Sequence, residues 1–164
     1  TGIVIAKPEI IKSISSMNAI MNLATGSFGS LLAVNLLKSR GIISLSQKVV
    51  KPYYEDKAMR ARDFLLQKLE GLPVKLHKVE GAMFLWLWLK DCPVDNEVLY
   101  QRLKTKGVLI VSGHHFFPGL SDSEANSWQH TKECLRITYS QQDDLVMRGL
   151  DIIAKEVHFA YQHG

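Results

Sequence analysis

The chain has 164 residues, of which 46% are hydrophobic and 22% charged, and its formal net charge is +4. This composition is typical of a folded globular domain and excludes collagen-like, low-complexity and wholly disordered chains. Lysine and arginine are scattered among acidic residues without forming a basic tract, so no nucleic-acid partner is expected. The longest apolar run, Ala82 to Leu89, is far shorter than the roughly 20 residues of a membrane-spanning helix, so no membrane partner is expected either.

The first 45 residues read as part of another domain. Residues 1–6 are predicted to form a buried strand, and a buried-looking strand at the very start of a chain without Met indicates a piece of a longer protein. Phe28, Leu31 and Leu36 then recur at helical spacing until Gly41, which predicts a largely buried helix. A second, longer helical pattern covers residues 46–70, and Pro52 either kinks that helix or marks its start.

Residues 71–164 are predicted to be a small domain that opens with a β-hairpin. Residues 74–79 and 82–90 read as strands around a tight turn at Glu80-Gly81. In the second strand Phe84, Trp86 and Trp88 share one face, and the opposite face is also apolar. A strand that is apolar on both faces is expected to lie inside a sheet rather than at its edge.

The rest of this domain alternates helices and strands. Asp95 is a candidate cap for a helix that ends near Gly107, residues 108–111 and 134–140 read as strands, and residues 114–129 read as a polar loop. Ser140 and Asp143 resemble a capping box at the start of a closing helix. The predicted fold class is therefore α/β, with helices on one side of a mixed sheet.

The most informative polar residue is Arg136, in the last predicted strand. Strand alternation places Leu135 and Ile137 on one face and Arg136 on the other. A planar guanidinium suits a carboxylate held by two hydrogen bonds, and it keeps its charge when partly buried. The alternative is a structural ion pair with Asp or Glu, which the pattern by itself favours because buried charges are usually paired.

Other polar positions carry weaker signals. His114 and His115 are expected to point to opposite sides of a loop, and no carboxylate lies at ligand spacing, so no metal site is predicted. Gly113 and Gly119 are expected to allow positive φ in that loop, whose aromatic residues could cover a pocket. Two cysteines are too few for a disulfide framework, which favours the reducing cytoplasm.

Four segments resemble, in this order, the C-terminal half of the class I/II, fold type I, PLP-dependent aminotransferases. They are residues 1–6, 80–86, 107–113 and 134–138, and the longer stretches 80–88, 99–104 and 113–120 are also similar to that family. The resemblance covers nearly the whole chain. It implies that residues 1–45 are the end of a large PLP-binding domain, that residues 46–70 connect the two domains, and that residues 71–164 form the small domain.

The same resemblance implies a homodimeric enzyme that uses pyridoxal 5′-phosphate. It would transfer an amino group between a small aliphatic amino acid, valine or alanine, and a 2-oxo acid, pyruvate or 2-oxoisovalerate. Arg136 matches the arginine that grips the substrate α-carboxylate, and His114 and His115 match a loop near the substrate mouth. Thr25, Gly26 and Ser27 match a loop that approaches the cofactor phosphate of the neighbouring subunit.

The resemblance also implies what this segment does not contain. The Schiff-base lysine of the family lies upstream of the part that matches Thr1, so no catalytic residue is expected in this chain and the fragment alone is expected to be inactive. The alternative is a freestanding α/β module whose arginine binds a carboxylate ligand or a partner protein without catalysis.

Overall fold

The computed structural model describes residues 3–22 and 26–164. The chain divides into two compact units, Thr1–Val49 and Val50–Gly164. The α-helical part of the segment 46–70 belongs to the second unit, because it packs against the last helix of the chain.

The first unit is helical in its described part. It contains α1 (Pro8–Asn22), α2 (Phe28–Lys38) and α3 (Gly41–Leu45), followed by a π-helical turn (Ser46–Val50). The prediction of a strand at its start was wrong, because residues 3–7 have no regular structure and residues 1 and 2 lie outside the described part. A strand requires hydrogen bonds to a neighbour, and none of the described residues provides one. Helix α1 was not predicted, although Pro8 in its first turn and the following Glu9 are recognised start signals.

Most of the large apolar residues of α1 and α2 are exposed within the chain, and for α2 this contradicts the expected burial. In these two fully described helices no residue is buried, and Phe28 and Leu31 are 74% and 66% exposed. A helical apolar pattern predicts which face of the helix can be buried, but it does not predict which other segment packs against that face. Among the described residues no single helix is long and apolar enough to span a membrane; two consecutive segments, 28–38 and 41–68, meet that test only when joined across a bend.

In the described part of the second unit, four strands form one sheet in the order β1-β2-β4-β3. They are β1 (Val74–Leu76), β2 (Phe84–Leu89), β3 (Val111–Ser112) and β4 (Cys134–Thr138). The predicted hairpin and the interior position of its second strand, β2, are confirmed. The α/β class is also confirmed, but the sheet is antiparallel rather than mixed. Strands β2 and β3 run in the same direction, yet β4 lies between them, so no described neighbours are parallel.

Three helices cover one face of this sheet, as predicted. They are α4 (Lys51–Lys68), α5 (Asn96–Thr105) and α7 (Asp143–His163). Helix α4 begins at Lys51 with Pro52 in its first turn, which matches the second of the two options for this proline. The core between sheet and helices is formed mainly by fully buried leucines from both layers: Leu65, Leu69, Leu85, Leu87, Leu89, Leu99, Leu103, Leu135 and Leu150.

The segment 114–129, predicted as a loop, falls within residues 113–132, which contain three short helical segments. Two 3-10 turns (Gly113–Phe116 and Gln129–Lys132) flank α6 (Asp122–Ser127). A capping box starts α6, because the Ser121 hydroxyl accepts from the Glu124 backbone N–H and the Glu124 carboxylate accepts from the Ser121 backbone N–H.

The capping box predicted for α7 was wrong. The Ser140 hydroxyl lies 3.0 Å from that of Thr138, and the residue that precedes α7 is Gln142, whose side chain makes no capping bond with the described residues. The Asp143 carboxylate is instead bound by two cations of α4. Lys57 Nζ lies 3.0 Å from Asp143 Oδ1 and the Arg60 guanidinium 2.8 Å from Asp143 Oδ2. The start of α7 is therefore held by ion pairs to α4 and not by a capping box of its own.

This contact makes the stability of the second unit pH dependent. Hydrogen bonds from Lys57, and then from Arg60, lower the pKa of Asp143. A carboxyl with a lowered folded-state pKa stabilises the fold above its unfolded value of about 3.9, and that contribution is lost as the pH falls through the folded value. We expect the urea midpoint of Asp143→Asn to lie below that of the wild-type chain by a constant amount above about pH 5. The difference should shrink below about pH 4, and a pH-independent difference would contradict the linkage.

Both cysteines are buried and free of disulfides. Burial raises the pKa of the Cys134 thiol to about 11 and also raises that of Cys92. Because the thiolate is the reactive form, we expect neither thiol to react with Ellman's reagent in the folded chain near pH 8. Both thiols should react in guanidinium chloride, and Cys92→Ala and Cys134→Ala should each lower the number of reactive thiols per chain by one. A fast reaction of either thiol with Ellman's reagent in the folded chain would contradict this prediction.

Candidate functional site

Strand β4 presents Arg136 on the face of the sheet opposite the helices. Leu135 and Ile137 are buried in the core, whereas Arg136 is half-buried on the other side, as the strand alternation predicts. In the sheet register Arg136 pairs with Trp86 of β2 on one side and with Val111 of β3 on the other. The arginine therefore lies in the middle of a sheet face rather than at its edge.

Two aromatic rings hold the guanidinium of Arg136. Its central carbon, Cζ, lies 4.3 Å from the ring centroid of Phe84 and 4.3 Å from that of Phe116. Phe84 belongs to β2, and Phe116 ends the 3-10 turn that follows β3. Distances of this size are typical of cation–π interactions, which stabilise the cation without neutralising its charge. We call Phe84 and Phe116 the aromatic clamp.

Arg136 has no acidic partner in the part of the chain that the structure describes. No ion pair or hydrogen bond joins its guanidinium to any described residue, and the buried Nε is without a hydrogen-bond partner. The structural ion pair, which was the alternative from the sequence, is therefore not found among these residues. A half-buried guanidinium with unused donors is suited to bind a carboxylate or another anion.

An aromatic cluster extends this face beyond the clamp. Trp86 lies edge-on to Phe116 with centroids 5.6 Å apart, and Trp88 lies edge-on to His130 at 4.8 Å. Phe117 contacts Trp86, Trp128 and His130, so the segment 113–132 packs onto the sheet face that bears Arg136. Glu133, which is buried, accepts a hydrogen bond of 2.7 Å from Trp88 Nε1. Beside this cluster a cavity of about 220 Å³ is lined by the connection between β1 and β2, including His77, Lys78 and Glu80, and by Phe84 and Trp86 of β2.

His114 and His115 lie in the same turn as Phe116, but no hydrogen bond or cation–π contact joins either of these described residues to Arg136. The expectation that they point to opposite sides was wrong, because the 3-10 turn brings their ring centroids to 4.0 Å. Burial, and then the neighbouring His115, lowers the pKa of His114, whose Nδ1 lies 3.1 Å from Asn96 Oδ1. Within residues 3–22 and 26–164 no group of three potential metal ligands occurs.

The candidate cofactor loop belongs to the first unit, whereas Arg136 belongs to the second. Thr25 lies outside the described residues. Ser27 immediately precedes α2, and its side chain makes no capping bond to the described residues. At Gly26 an added Cβ would meet no atom within 4 Å, so the backbone before α2 is open to an approaching group. Thr25, Gly26 and Ser27 therefore remain a prediction for the cofactor-adjacent loop.

The sequence did not indicate the aromatic clamp. Strand parity places Phe84 on the face of Arg136, but the loop residue Phe116 has no periodic relation to that strand. Asn96 was also missed: its Nδ2 donates to the backbone oxygens of Thr131 and Cys134. Asn96 therefore joins the start of α5 to the segment that leads into β4, the strand that carries Arg136.

Comparison with known proteins gives a consistent result over almost the entire chain. The chain is 39% identical over 160 residues to the valine–pyruvate aminotransferase of Escherichia coli strain K12, covering 98% of this chain and 37% of that protein, in its C-terminal part. The crystal structure of valine–pyruvate aminotransferase from Salmonella typhimurium LT2 matches with a TM-score of 0.83 and 39% identity, covering 98% of this chain and 40% of that one. The chain resembles the C-terminal part of an aminotransferase.

A more distant aminotransferase has the same fold in this region. The kynurenine aminotransferase of Pyrococcus horikoshii, solved in complex with PMP, matches with a TM-score of 0.64 and 26% identity, covering 93% of this chain and 35% of that one. No family model matches the chain. The chain thus spans little more than a third of the length of the aminotransferases that it matches.

Proposed function

We propose that this chain is the C-terminal part of a PLP-dependent aminotransferase in which Arg136 binds the α-carboxylate of the substrate. The observation that carries the proposal is the unpaired, half-buried guanidinium in a segment 39% identical to valine–pyruvate aminotransferase. Two terminal nitrogens of a guanidinium can donate in parallel to the two oxygens of one carboxylate. Every amino acid and every 2-oxo acid carries this group, so one arginine serves both halves of a transamination.

The role of Arg136 is to orient the substrate. Bound PLP supplies the electron sink that lets an amino group pass between two carbon skeletons. Arg136 fixes the carboxylate end of the substrate, which determines the position of the neighbouring Cα and its proton. Gly26 and Ser27, with Thr25 before them, are proposed to lie near the cofactor phosphate. The lysine that binds the cofactor is proposed to lie in the preceding part of the longer protein.

For the substrates we propose valine or alanine as amino donor, with pyruvate or 2-oxoisovalerate as acceptor. This proposal rests on the 39% identity to two valine–pyruvate aminotransferases. The aromatic cluster around Arg136 supports it, because apolar walls favour aliphatic over charged substrate side chains. His114 and His115 are proposed to lie at the mouth of this site and to tune its specificity.

We further propose a cytoplasmic homodimer. The resemblance to the aminotransferase family supports the dimer, and the exposed apolar residues of the first unit mark a surface that further protein covers, either the preceding part of the longer chain or a second subunit. Two buried cysteines without disulfides agree with a reducing compartment. Light scattering on the longer, PLP-loaded protein is expected to give twice the mass of its subunit, and a monomeric mass would overturn this part of the proposal.

The activity is tested on the longer protein, purified with PLP. Valine and pyruvate should be converted to 2-oxoisovalerate and alanine, and aspartate or lysine should replace valine poorly. The 164-residue chain is the matched control, because it is proposed to lack the cofactor lysine and should show no turnover with added PLP. Absence of a PLP-dependent reaction in the longer protein, combined with carboxylate binding by the isolated chain, would instead support the freestanding binding module.

A further inference from the structure

We propose that Phe84 and Phe116 are positioning residues that determine how strongly Arg136 binds a carboxylate. The inference rests on the proposed function and deepens it, because it assigns the aromatic clamp a part in substrate recognition. Neither ring touches the carboxylate in this proposal. Both act through the guanidinium.

The clamp leaves a defined part of the guanidinium free. Each ring centroid lies 4.3 Å from Cζ, and the Nε of Arg136 is buried without a hydrogen-bond partner. The two terminal nitrogens are not among the buried unpartnered atoms of the described residues. They are therefore the donors that remain accessible to a ligand, and they are the pair that matches a carboxylate.

The rings also explain how an unpaired arginine is tolerated in the middle of a sheet face. The negative face of an aromatic ring attracts the cation, and this attraction grows when water is excluded. Unlike an Asp or Glu partner, a ring does not occupy the hydrogen-bond donors. The clamp thus keeps the guanidinium charged, ordered and available, which reduces the side-chain entropy lost when a ligand binds.

The two halves of the clamp come from different parts of the chain. Phe84 is fixed by β2, whereas Phe116 is carried by the turn that Asn96 holds through His114. Phe84 and Phe116 are 39% and 38% exposed, so leucine can replace either ring without entering the core. Both positions are therefore open to substitution without loss of the fold.

The experiment measures binding of isovalerate, a monocarboxylate without an amino group, to the longer PLP-loaded protein by calorimetry. Phe84→Leu and Phe116→Leu remove the ring and keep apolar volume, and each should raise the dissociation constant by on the order of 3- to 30-fold. The KM values for valine and pyruvate should rise by similar factors, because both carry the carboxylate, while kcat changes less than about twofold. Phe84→Tyr and Phe116→Tyr, which retain the ring, should bind isovalerate like the wild type.

The matched control is Phe159→Leu. This ring lies 5.6 Å from the guanidinium carbon of Arg102, away from the clamp, and is similarly exposed at 48%. It should leave isovalerate binding unchanged. Unchanged binding in both clamp variants, while Arg136→Ala binds weakly, would overturn this inference alone. Unchanged binding in Arg136→Ala would overturn the proposed function itself.

Discussion

Replacing Arg136 by alanine is expected to lower kcat/KM of the longer protein for valine by about 10²- to 10³-fold, with PLP still bound. The size of this decrease follows from the loss of two charge-assisted hydrogen bonds, each of which contributes about 1.5–3 kcal/mol. Water that enters the space left by the side chain replaces part of this binding energy. The loss should affect pyruvate as much as valine, since both present the same carboxylate. Steady-state kinetics and the absorbance of the bound cofactor measure the two quantities separately.

Two further variants make this prediction specific. Arg136→Lys retains the charge but not the planar fork, so it should recover only part of the lost activity. Arg148→Ala removes an exposed arginine of α7 that pairs with Asp144 and should leave the kinetics unchanged. Kinetics of Arg136→Ala equal to those of the wild type would remove Arg136 from the substrate site. Loss of PLP from this variant would instead assign Arg136 a role in holding the cofactor.

The fold of the second unit was largely predictable because its signals are local. A continuous apolar run defines β2, and alternating apolar residues define β4. The helical period likewise matches the buried face of α7 at Leu150, Ile153 and Val157. The antiparallel sheet was not predictable in the same way, since strand neighbours are chosen by the packing of distant segments. The wrong capping box near Ser140 has a similar cause, because two cations from α4 bind Asp143 and override the local pattern.

In the first unit, apolar sequence patterns did not fully predict which elements form, nor which residues are buried. Residues 3–6 are rich in β-branched side chains, yet a strand without a neighbour gains no ladder hydrogen bonds and is not formed in the described chain. Helices α1 and α2 do form, because their hydrogen bonds are internal, but their apolar residues remain exposed. Local hydrogen bonding therefore decides which elements are present in the described part of the first unit.

At the candidate site, the sequence predicted which face Arg136 occupies but not what surrounds it. Strand parity was sufficient for the first, because side chains alternate strictly along β4. The aromatic clamp required the turn that carries Phe116 to fold back over the sheet, and this depends on a close backbone approach at Gly113. The glycine was expected to allow positive φ, as Gly119 does at +88°, but its φ is not in the left-handed region. The absence of a Cβ is what matters at Gly113.

Gly113 therefore carries the second large prediction, since a methyl group at this position has no space. An added Cβ would lie 2.5 Å from Cys134 Cβ and 2.6 Å from the Cys134 carbonyl oxygen, and backbone atoms of β4 cannot move aside cheaply. We expect Gly113→Ala to destabilise the chain by about 2–3 kcal/mol, as overpacking of a dense region typically does. Urea unfolding of the 164-residue chain measures this loss.

The same substitution should also weaken the binding site, because relief of the clash moves the turn that carries Phe116 away from β4. In the longer protein, Gly113→Ala should therefore raise the dissociation constant for isovalerate, as Phe116→Leu does. Gly149→Ala is the matched control: this glycine lies within α7 with no atom within 4 Å of an added Cβ, and alanine there should stabilise the helix by about 0.5–1 kcal/mol. If Gly113→Ala is destabilised but binds isovalerate like the wild type, the turn has moved without displacing Phe116. Gly113 would then matter for packing against β4 but not for the aromatic clamp.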